Sequence, residues 1–204
     1  IPEMLAGNID MECGTTTNSI QRQQQVSFST NYYATEVRMA VKANSTVKDL
    51  GDLNGKAVAT TQGTTSDKYI KMGAKGEQVK VTNVYGKDHS DSFAMVASGR
   101  AAAFVMDDNI LAGLIAKSSK PKDFKIVGPV LSSEPYGIML PKGDAAYKAI
   151  ADKVVTGMWK NGQMAALYKK WFQSPIPPKN INLNMPMSTS YNKLKAAPND
   201  KGIN

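Results

Sequence analysis

The chain has 204 residues, of which 42% are hydrophobic and 21% are charged, and it carries a formal net charge of +8. This length and composition are typical of one large or two small globular domains, and no stretch approaches the ~18 consecutive apolar residues that a membrane-spanning helix needs. The lysines are scattered singly and no nucleic-acid-binding motif accompanies them, so we expect no nucleic-acid partner.

Two further counts limit the classes of site. Cys13 is the one cysteine, which excludes a disulfide within the chain and a metal site built on several cysteines. His89 is the one histidine, so a zinc ion would need carboxylates for nearly all of its ligands. We therefore expect neither a metal nor a cofactor.

The N-terminal part of the chain holds short elements and one polar loop. We predict a helix over residues 1–6, a strand over 9–13 and a helix over 20–25, followed by extended segments over 28–33 and 36–43. The hydroxyl groups in the loop at residues 14–19 suit a carboxylate or another anion, although a capped turn before the helix explains them equally well. Arg22 lies among glutamines, where it is either a solvated side chain or a bidentate hydrogen-bond donor to a carboxylate.

The middle of the chain predicts strands that end in polar residues. A strand over residues 56–61 leads through a glycine-containing turn into a helix over 66–72, an order that indicates an anion site at the helix N-terminus or simply a capped turn. A strand over 79–85 precedes His89 and a helix over 92–98, whose N-cap candidates are Ser90, Asp91 and Ser92. The apolar run 101–106 predicts a strand buried on both faces, and Asp107 follows it.

The arrangement of these strands predicts where a site lies. In open α/β sheets, ligands bind at the carboxyl ends of parallel strands. The strands that end near residues 61, 85 and 106 therefore bring their polar groups to one edge, with His89 and Asp107 facing one crevice. From the residues alone, this pair is either catalytic or ligand-binding.

The C-terminal part is predicted to be mainly helical. A helix over residues 110–116, a strand over 124–128, an irregular segment over 129–137 and an extended segment over 138–140 come first. Asp144 caps a helix over 145–159, and an amphipathic helix over 162–172 follows. The first of these helices is predicted to bury one stripe, made of Ala146, Ile150, Val154 and Met158. After Ser174 the sequence is proline-rich and then polar, so we expect a surface tail with a helical turn near 191–196.

These elements predict two domains. Residues 37–127 form a complete α/β unit inserted between residues 1–36 and 128–204, which together form the other unit and a C-terminal tail. The chain then crosses between the units twice, which is typical of a hinge. Because the sequence begins at Ile1, inside a helix and without a signal peptide, we expect it to be a fragment of a longer protein.

Four segments resemble the polar-amino-acid solute-binding proteins of ABC transporters, in particular the glutamate/aspartate-binding members: DLGDLNGKAVATTQGTTSD, GKDHSDSF, SGRAAAFVMDDNILAG and WFQSPIPPKNINLN. The resemblance covers nearly the whole chain. It implies an α/β fold of the type II periplasmic-binding-protein class, with two lobes joined by a two-strand hinge and the first lobe incomplete. Some ligand contacts would then be missing, so we expect the chain alone to bind weakly.

The resemblance also implies ligand-binding residues. Asp107 matches the carboxylate that pairs with the α-ammonium group of the ligand, and Arg22 matches the arginine that holds its α-carboxylate. His89 matches the histidine that meets the side-chain carboxylate. Further donors around the α-carboxylate come from four threonines, Thr15, Thr17, Thr64 and Thr65. Thr15 and Gln21 depart from the family pattern, which has serine and an acidic residue at these positions.

By this resemblance, the chain binds L-glutamate or L-aspartate between its lobes in the periplasm and delivers it to the membrane permease of an ABC importer. No residue is then catalytic and no metal is bound. Two alternatives use the same fold: an enzyme, such as a dehydratase with His89 or Asp107 in proton transfer, and a sensor domain. A dimer is expected if the incomplete lobe exposes apolar surface.

Overall fold

The structure, a computed structural model, describes residues 1–72 and 79–204. The chain divides into two compact units. The first unit consists of Ile1–Thr35, Glu134–Ile176 and Asn184–Asn204, and the second consists of Glu36–Ser133 and Pro177–Leu183. The chain leaves the first unit within strand β2 (Tyr33–Lys42) and returns to it within strand β6 (Phe124–Tyr136).

The second unit is built on a five-stranded sheet with the order β4-β3-β5-β2-β6. Strand β3 (Ala57–Thr61) lies between β4 (Thr82–Gly86) and β5 (Ala103–Asp107) and is parallel to both, whereas β2 is antiparallel to β5. Its helices are α3 (Ser66–Met72), α4 (His89–Ala97) and α5 (Asp108–Lys117), and short 3-10 turns form at Gly51–Leu53 and Pro121–Asp123. The parallel arrangement predicted for β3, β4 and β5 is confirmed.

Alternating side chains of this sheet form two apolar cores, one on each face. One core contains Val37, Met39, Val41, Val58 and Val105. The other contains Ala40, Ala59, Phe104 and Met106, which pack against Phe93 of α4 and Leu111 of α5. All five residues of β5 are buried, which confirms the prediction of a strand covered on both faces.

The first unit is mainly helical. Its elements are α1 (Pro2–Leu5), α2 (Ile20–Gln23), β1 (Ser27–Phe28), β7 (Met139–Leu140), α6 (Ala145–Lys160), α7 (Gln163–Phe172) and α8 (Thr189–Ala196). Strands β1 and β7 pair antiparallel. The largest core of this unit is aromatic and contains Tyr33, Tyr136, Trp159, Tyr168 and Tyr191. Over the described ranges, none of the helices combines the length and apolar character that a membrane crossing requires.

Helix α6 buries a different stripe from the predicted one. Its buried residues are Ala151, Val155 and Trp159. Ile150 and Val154, from the predicted stripe, are instead 62% and 53% exposed. The buried face is shifted by one residue because Trp159 enters the aromatic core, where its indole N–H donates to the Asn31 carbonyl at 2.9 Å. The predicted cap is confirmed, since the Asp144 carboxylate accepts from a backbone N–H in the first turn.

Two strand predictions are wrong. Strand β6 runs unbroken through Phe124–Tyr136, although the prolines in this segment favour an irregular structure after residue 128. A proline lacks a backbone N–H but is tolerated on an edge strand, and β6 is an edge of the sheet. The strand predicted over residues 9–13 is reduced to one bridge between Glu12 and Met139.

The C-terminal tail is anchored in the first unit, which corrects the prediction of a surface tail. Tyr191 and Leu194 of α8 are 1% and 6% exposed and belong to the aromatic core. Further along, the Ile203 carbonyl accepts from the N–H of Ile20 at 2.8 Å, and the Ile203 N–H donates to the Asn18 carbonyl at 3.1 Å. The predicted helical turn is therefore a packing element of the core.

Candidate functional site

Five of the polar residues of the second unit lie at the carboxyl end of its parallel strands. We call this set, made of Thr61, Thr64, Thr65, His89 and Asp107, the polar edge. Thr61 ends β3 and pairs with Gly86 at the end of β4. Ala59 of β3 pairs with Phe104 of β5, so β5 reaches the same edge and ends there in Asp107.

Asp107 is a buried carboxylate at a helix N-terminus. It is 3% exposed and stands opposite Val37 of the neighbouring strand β2. Helix α5 begins at the next residue, so Asp107 occupies its N-cap position. The partial positive charge at this end of the helix interacts favourably with a carboxylate. A buried anion of this kind suits a cationic group such as an ammonium ion.

Asp108 follows Asp107 directly, but its side chain forms hydrogen bonds to the backbone. Its Oδ1 accepts from the backbone N–H of Asn109 at 2.8 Å and from the backbone N–H of Glu36 at 3.2 Å. Burial raises the pKa of Glu36, and the charge of Asp108 adds to this effect. The two adjacent aspartates therefore have separate environments, and Asp108 serves as a matched comparison for Asp107.

Thr64 and Thr65 form the turn between β3 and α3. Gly63 has a φ of +77°, a left-handed conformation that glycine adopts without strain. The Thr64 hydroxyl then donates back to the Thr61 carbonyl at 2.8 Å. The Thr65 carbonyl accepts from the N–H of Lys68 at 3.0 Å, which starts the helix. A ligand-binding role for both threonines stays a prediction.

His89 is the first residue of α4, which begins three residues earlier than the sequence predicts. The reason is that Asp88 is the N-cap: its carboxylate accepts from the N–H of Asp91 at 2.8 Å. The half-buried His89 ring places Nδ1 2.9 Å from the Thr61 hydroxyl oxygen. Burial lowers the pKa of His89 below its ordinary value, and the charge of Asp88 opposes this effect.

Two polar residues that sequence reasoning missed support His89. Thr61 Oγ1 lies 2.8 Å from Ser92 Oγ, and the Ser92 hydroxyl reaches the carbonyl oxygens of Thr60 at 3.1 Å and Asp88 at 3.0 Å. Gly86 makes this approach possible, since a Cβ atom there would meet the Ser92 side chain at 2.3 Å. The available signal is the spacing of His89 and Ser92, which places both on one side of a helix.

The other predicted site residues belong to the first unit. Thr15 is exposed, whereas Thr17 is 2% exposed and its hydroxyl donates to Glu134 at 2.6 Å. The half-buried Arg22 donates from Nη1 to the Thr17 carbonyl at 2.9 Å. Glu134 is fully buried and is a further polar residue that sequence reasoning missed. The structure thus joins Thr17 and Arg22 in one cluster, while their ligand-binding role stays a prediction.

A metal ion needs several ligating side chains close together. Within residues 1–72 and 79–204, no three His, Cys, Asp or Glu side chains come close enough together to hold one. What the polar edge offers is one buried carboxylate, one imidazole and several hydroxyl groups. These groups suit a small zwitterionic molecule with a cationic group and further polar groups.

Comparisons with known proteins agree with this chemistry. Residues 1–174 match the family of bacterial extracellular solute-binding proteins, family 3. The L-glutamate/L-aspartate-binding protein of Pseudomonas aeruginosa is 45% identical over 201 residues, which are 98% of this chain and 67% of that protein. The glutamate/aspartate import solute-binding protein of Salmonella typhimurium is 42% identical over 204 residues, which are 100% of this chain and 68% of that protein.

A solved structure shows the same fold. An ancestral arginine-binding protein bound to arginine matches with a TM-score of 0.75 and 32% identity, covering 84% of this chain and 75% of that one. The matches confirm the predicted α/β fold of type II periplasmic-binding proteins, and they favour a solute-binding protein over the enzyme alternative. The chain therefore belongs to the family 3 bacterial extracellular solute-binding proteins.

Proposed function

We propose that the chain binds an acidic L-amino acid, glutamate or aspartate, and hands it to the membrane permease of an ABC importer. The observation that carries the proposal is the identity of 45% and 42% to two proteins named for glutamate and aspartate. The polar edge supports it, because a buried carboxylate and an imidazole suit the two ends of such a ligand. The alternatives, an enzyme or a sensor domain, have no comparable support.

Three residues of the polar edge have a proposed contact with the ligand. Asp107 pairs with the α-ammonium group, since an ammonium ion in a buried site needs an anionic acceptor. His89 meets the side-chain carboxylate, and Thr65 donates to the α-carboxylate. The first-unit residues Arg22, Thr15 and Thr17 keep the role that the resemblance implies for them, donation to the same α-carboxylate.

The cellular setting is proposed from the family. Members are described as bacterial extracellular proteins, and we propose the periplasm as the compartment and the importer permease as the partner. Association of two chains stays a prediction. It would use the apolar side chains exposed on the first unit, which include Ile150, Val154, Leu167 and Trp171.

The proposed ligand class is tested by thermal unfolding in the presence of single amino acids. We expect L-glutamate or L-aspartate to raise the unfolding midpoint, with a stabilisation of about 2.7 kcal/mol at 100-fold excess over Kd. L-glutamine and L-histidine serve as controls of similar size and are expected to act only at higher concentration. The measurement uses the full-length protein, because the chain alone is expected to bind weakly. The proposal is wrong if neither acidic amino acid raises the midpoint of that protein at millimolar concentration. Conversion of the ligand during incubation, read by chromatography, would support the enzyme alternative.

The role of His89 is tested by His89→Ala. We expect the binding free energy of L-glutamate to weaken by about 1.5–3 kcal/mol, the usual contribution of a hydrogen bond to a charged group. The binding free energy of L-glutamine should weaken by less. Lys87→Ala is the matched control, because it removes an exposed cation two positions away. Isothermal titration calorimetry measures both variants. Equal losses for the acid and the amide would contradict the assignment of His89 to the side-chain carboxylate.

A further inference from the structure

A chain of hydrogen bonds in the second unit connects Ser92 and Thr61 to Nδ1 of His89. It begins at Ser92, whose Oγ lies 3.1 Å from the Thr60 carbonyl oxygen and 3.0 Å from the Asp88 carbonyl oxygen. Carbonyl oxygens only accept, so the single hydroxyl proton of Ser92 is directed to them. Ser92 is fully buried, where an unmade hydrogen bond is costly.

When the Ser92 proton is donated to one of these carbonyl oxygens, the remaining bonds take a single arrangement. In this arrangement the Ser92 oxygen accepts from the Thr61 hydroxyl at 2.8 Å. Thr61 then has no proton left to donate, so its oxygen accepts from Nδ1 of His89 at 2.9 Å. This arrangement places a proton on Nδ1 of His89, and Nε2 then has none whenever the ring is neutral. In free histidine the opposite tautomer predominates.

We propose that Thr61 and Ser92 are positioning residues that make the binding of an acidic amino acid depend on proton uptake by His89. The proposal rests on the proposed function, in which His89 meets the side-chain carboxylate of the ligand. A carboxylate needs a hydrogen-bond donor, and the neutral ring offers only a lone pair at Nε2. The ring donates from Nε2 only as the imidazolium ion, whose charge also strengthens the bond.

The ionisable groups around His89 do not keep its ring protonated before the ligand binds. The ionisable residues on or beside α4 and the elements packed against it are Tyr85, Lys87, Asp88, Asp91, Asp107, Asp108 and Lys117, and β3 contributes none. Burial lowers the pKa of His89, and Asp88 only partly opposes this effect. The ring of the ligand-free protein is therefore mainly neutral at neutral pH, and a bound carboxylate adds the charge that favours protonation.

The sign of the pH effect follows from these two states. The bound carboxylate raises the pKa of His89 above its value in the ligand-free protein. The affinity for an acidic amino acid is therefore constant below the ligand-free pKa and falls about tenfold per pH unit above it. It levels off above the pKa of the complex. An amide ligand such as glutamine differs, because its NH2 group donates to the unprotonated Nε2. The ratio of the affinities for glutamate and glutamine therefore becomes smaller as pH rises.

The tautomer is tested by NMR without any ligand. Because His89 is the one histidine of the chain, protein labelled with 15N-histidine gives the resonances of a single ring. At a pH where the ring is neutral, we expect Nδ1 to show the shift of a protonated nitrogen and Nε2 that of an unprotonated one. The reverse pattern in the unsubstituted protein would overturn the proposal.

Variants of the two hydroxyl residues test the positioning role. Thr61→Val removes the acceptor of Nδ1–H, and Ser92→Ala frees the Thr61 proton to be donated to Nδ1. Both are expected to move the neutral ring towards the Nε2–H tautomer, whereas Thr61→Ser keeps the hydroxyl and the original tautomer. An unchanged tautomer in both Thr61→Val and Ser92→Ala would overturn the proposal.

Binding measurements complete the test. In the unsubstituted protein, calorimetry in buffers of different ionisation enthalpy should show proton uptake on binding L-glutamate and a decline of about tenfold per pH unit. In Thr61→Val the decline should flatten to less than about twofold per pH unit, since the neutral ring can then donate from Nε2. Binding without proton uptake above the ligand-free pKa would overturn the proposal. If no acidic amino acid binds, the proposed function fails, while the NMR result still decides the tautomer.

Discussion

Replacing Trp159 by alanine is expected to lower the free energy of unfolding by about 3–5 kcal/mol, the usual cost of truncating a large buried aromatic side chain. Trp159 is 9% exposed and its ring lies 5.4 Å from that of Tyr191, centroid to centroid. Its indole N–H also donates to the Asn31 carbonyl at 2.9 Å. The substitution therefore removes apolar packing and a buried hydrogen bond together.

The second tryptophan of the chain provides the control. Trp171 is 43% exposed, and Lys170 Nζ lies 5.2 Å from the centroid of its ring. Trp171→Ala should change the free energy of unfolding by no more than about 0.5 kcal/mol. Trp159→Phe keeps an aromatic ring but loses the N–H, so about 1–3 kcal/mol should be lost. Urea unfolding followed by circular dichroism measures all three, and similar losses for Trp159→Ala and Trp171→Ala would contradict the assigned packing.

The same residue shows where sequence reasoning reaches its limit. Amphipathic periodicity predicted a buried stripe through Ile150 and Val154, which are apolar at helical spacing, yet Val155 and Trp159 are the buried residues. Both stripes are apolar, and only the packing partners decide between them. The aromatic core draws on Tyr33, Tyr136 and Tyr191, which lie far apart in the sequence, so no local pattern reports it.

The second unit was more predictable because its signals are local. A continuous apolar run is typical of a strand buried on both faces, and β5 is such a strand. The end of that strand placed Asp107, since parallel strands end at a common edge. The start of α4 was predicted three residues late, because a run of three possible N-caps obscured the one at Asp88.

Sequence patterns identified His89 and Asp107 of the polar edge but not the residues that hold them in place. His89 and Asp107 are recognised by residue type and by resemblance. Thr61 and Ser92 are common residue types, and their importance depends on a 2.8 Å contact between residues on different elements. Glu134 is similar, because its contact with Thr17 joins residues 117 positions apart. Such contacts follow from tertiary packing, which local sequence patterns do not describe.

Asp107→Asn is expected to cause the largest loss of ligand affinity. Asparagine keeps the size of the side chain but replaces the charged acceptor by an amide. Removing one partner of a buried charge pair typically costs about 2–5 kcal/mol, so the affinity for L-glutamate should fall by about thirtyfold or more. Isothermal titration calorimetry measures the loss, and circular dichroism verifies that the variant is folded.

The comparison that assigns this loss to the ammonium group uses a ligand without one. Glutarate keeps both carboxylates of glutamate but lacks the α-ammonium group, so Asp107→Asn should weaken glutamate far more than glutarate. The difference between the two losses is the coupling energy of the pair, and we expect about 2 kcal/mol or more. Asp108→Asn is the matched control, because Asp108 caps the backbone N–H groups of Asn109 and Glu36 and an asparagine oxygen can accept from them equally. Equal losses of glutamate affinity in Asp107→Asn and Asp108→Asn would show that the overall negative charge at this edge attracts the ligand. That result would contradict a specific contact between Asp107 and the ammonium group.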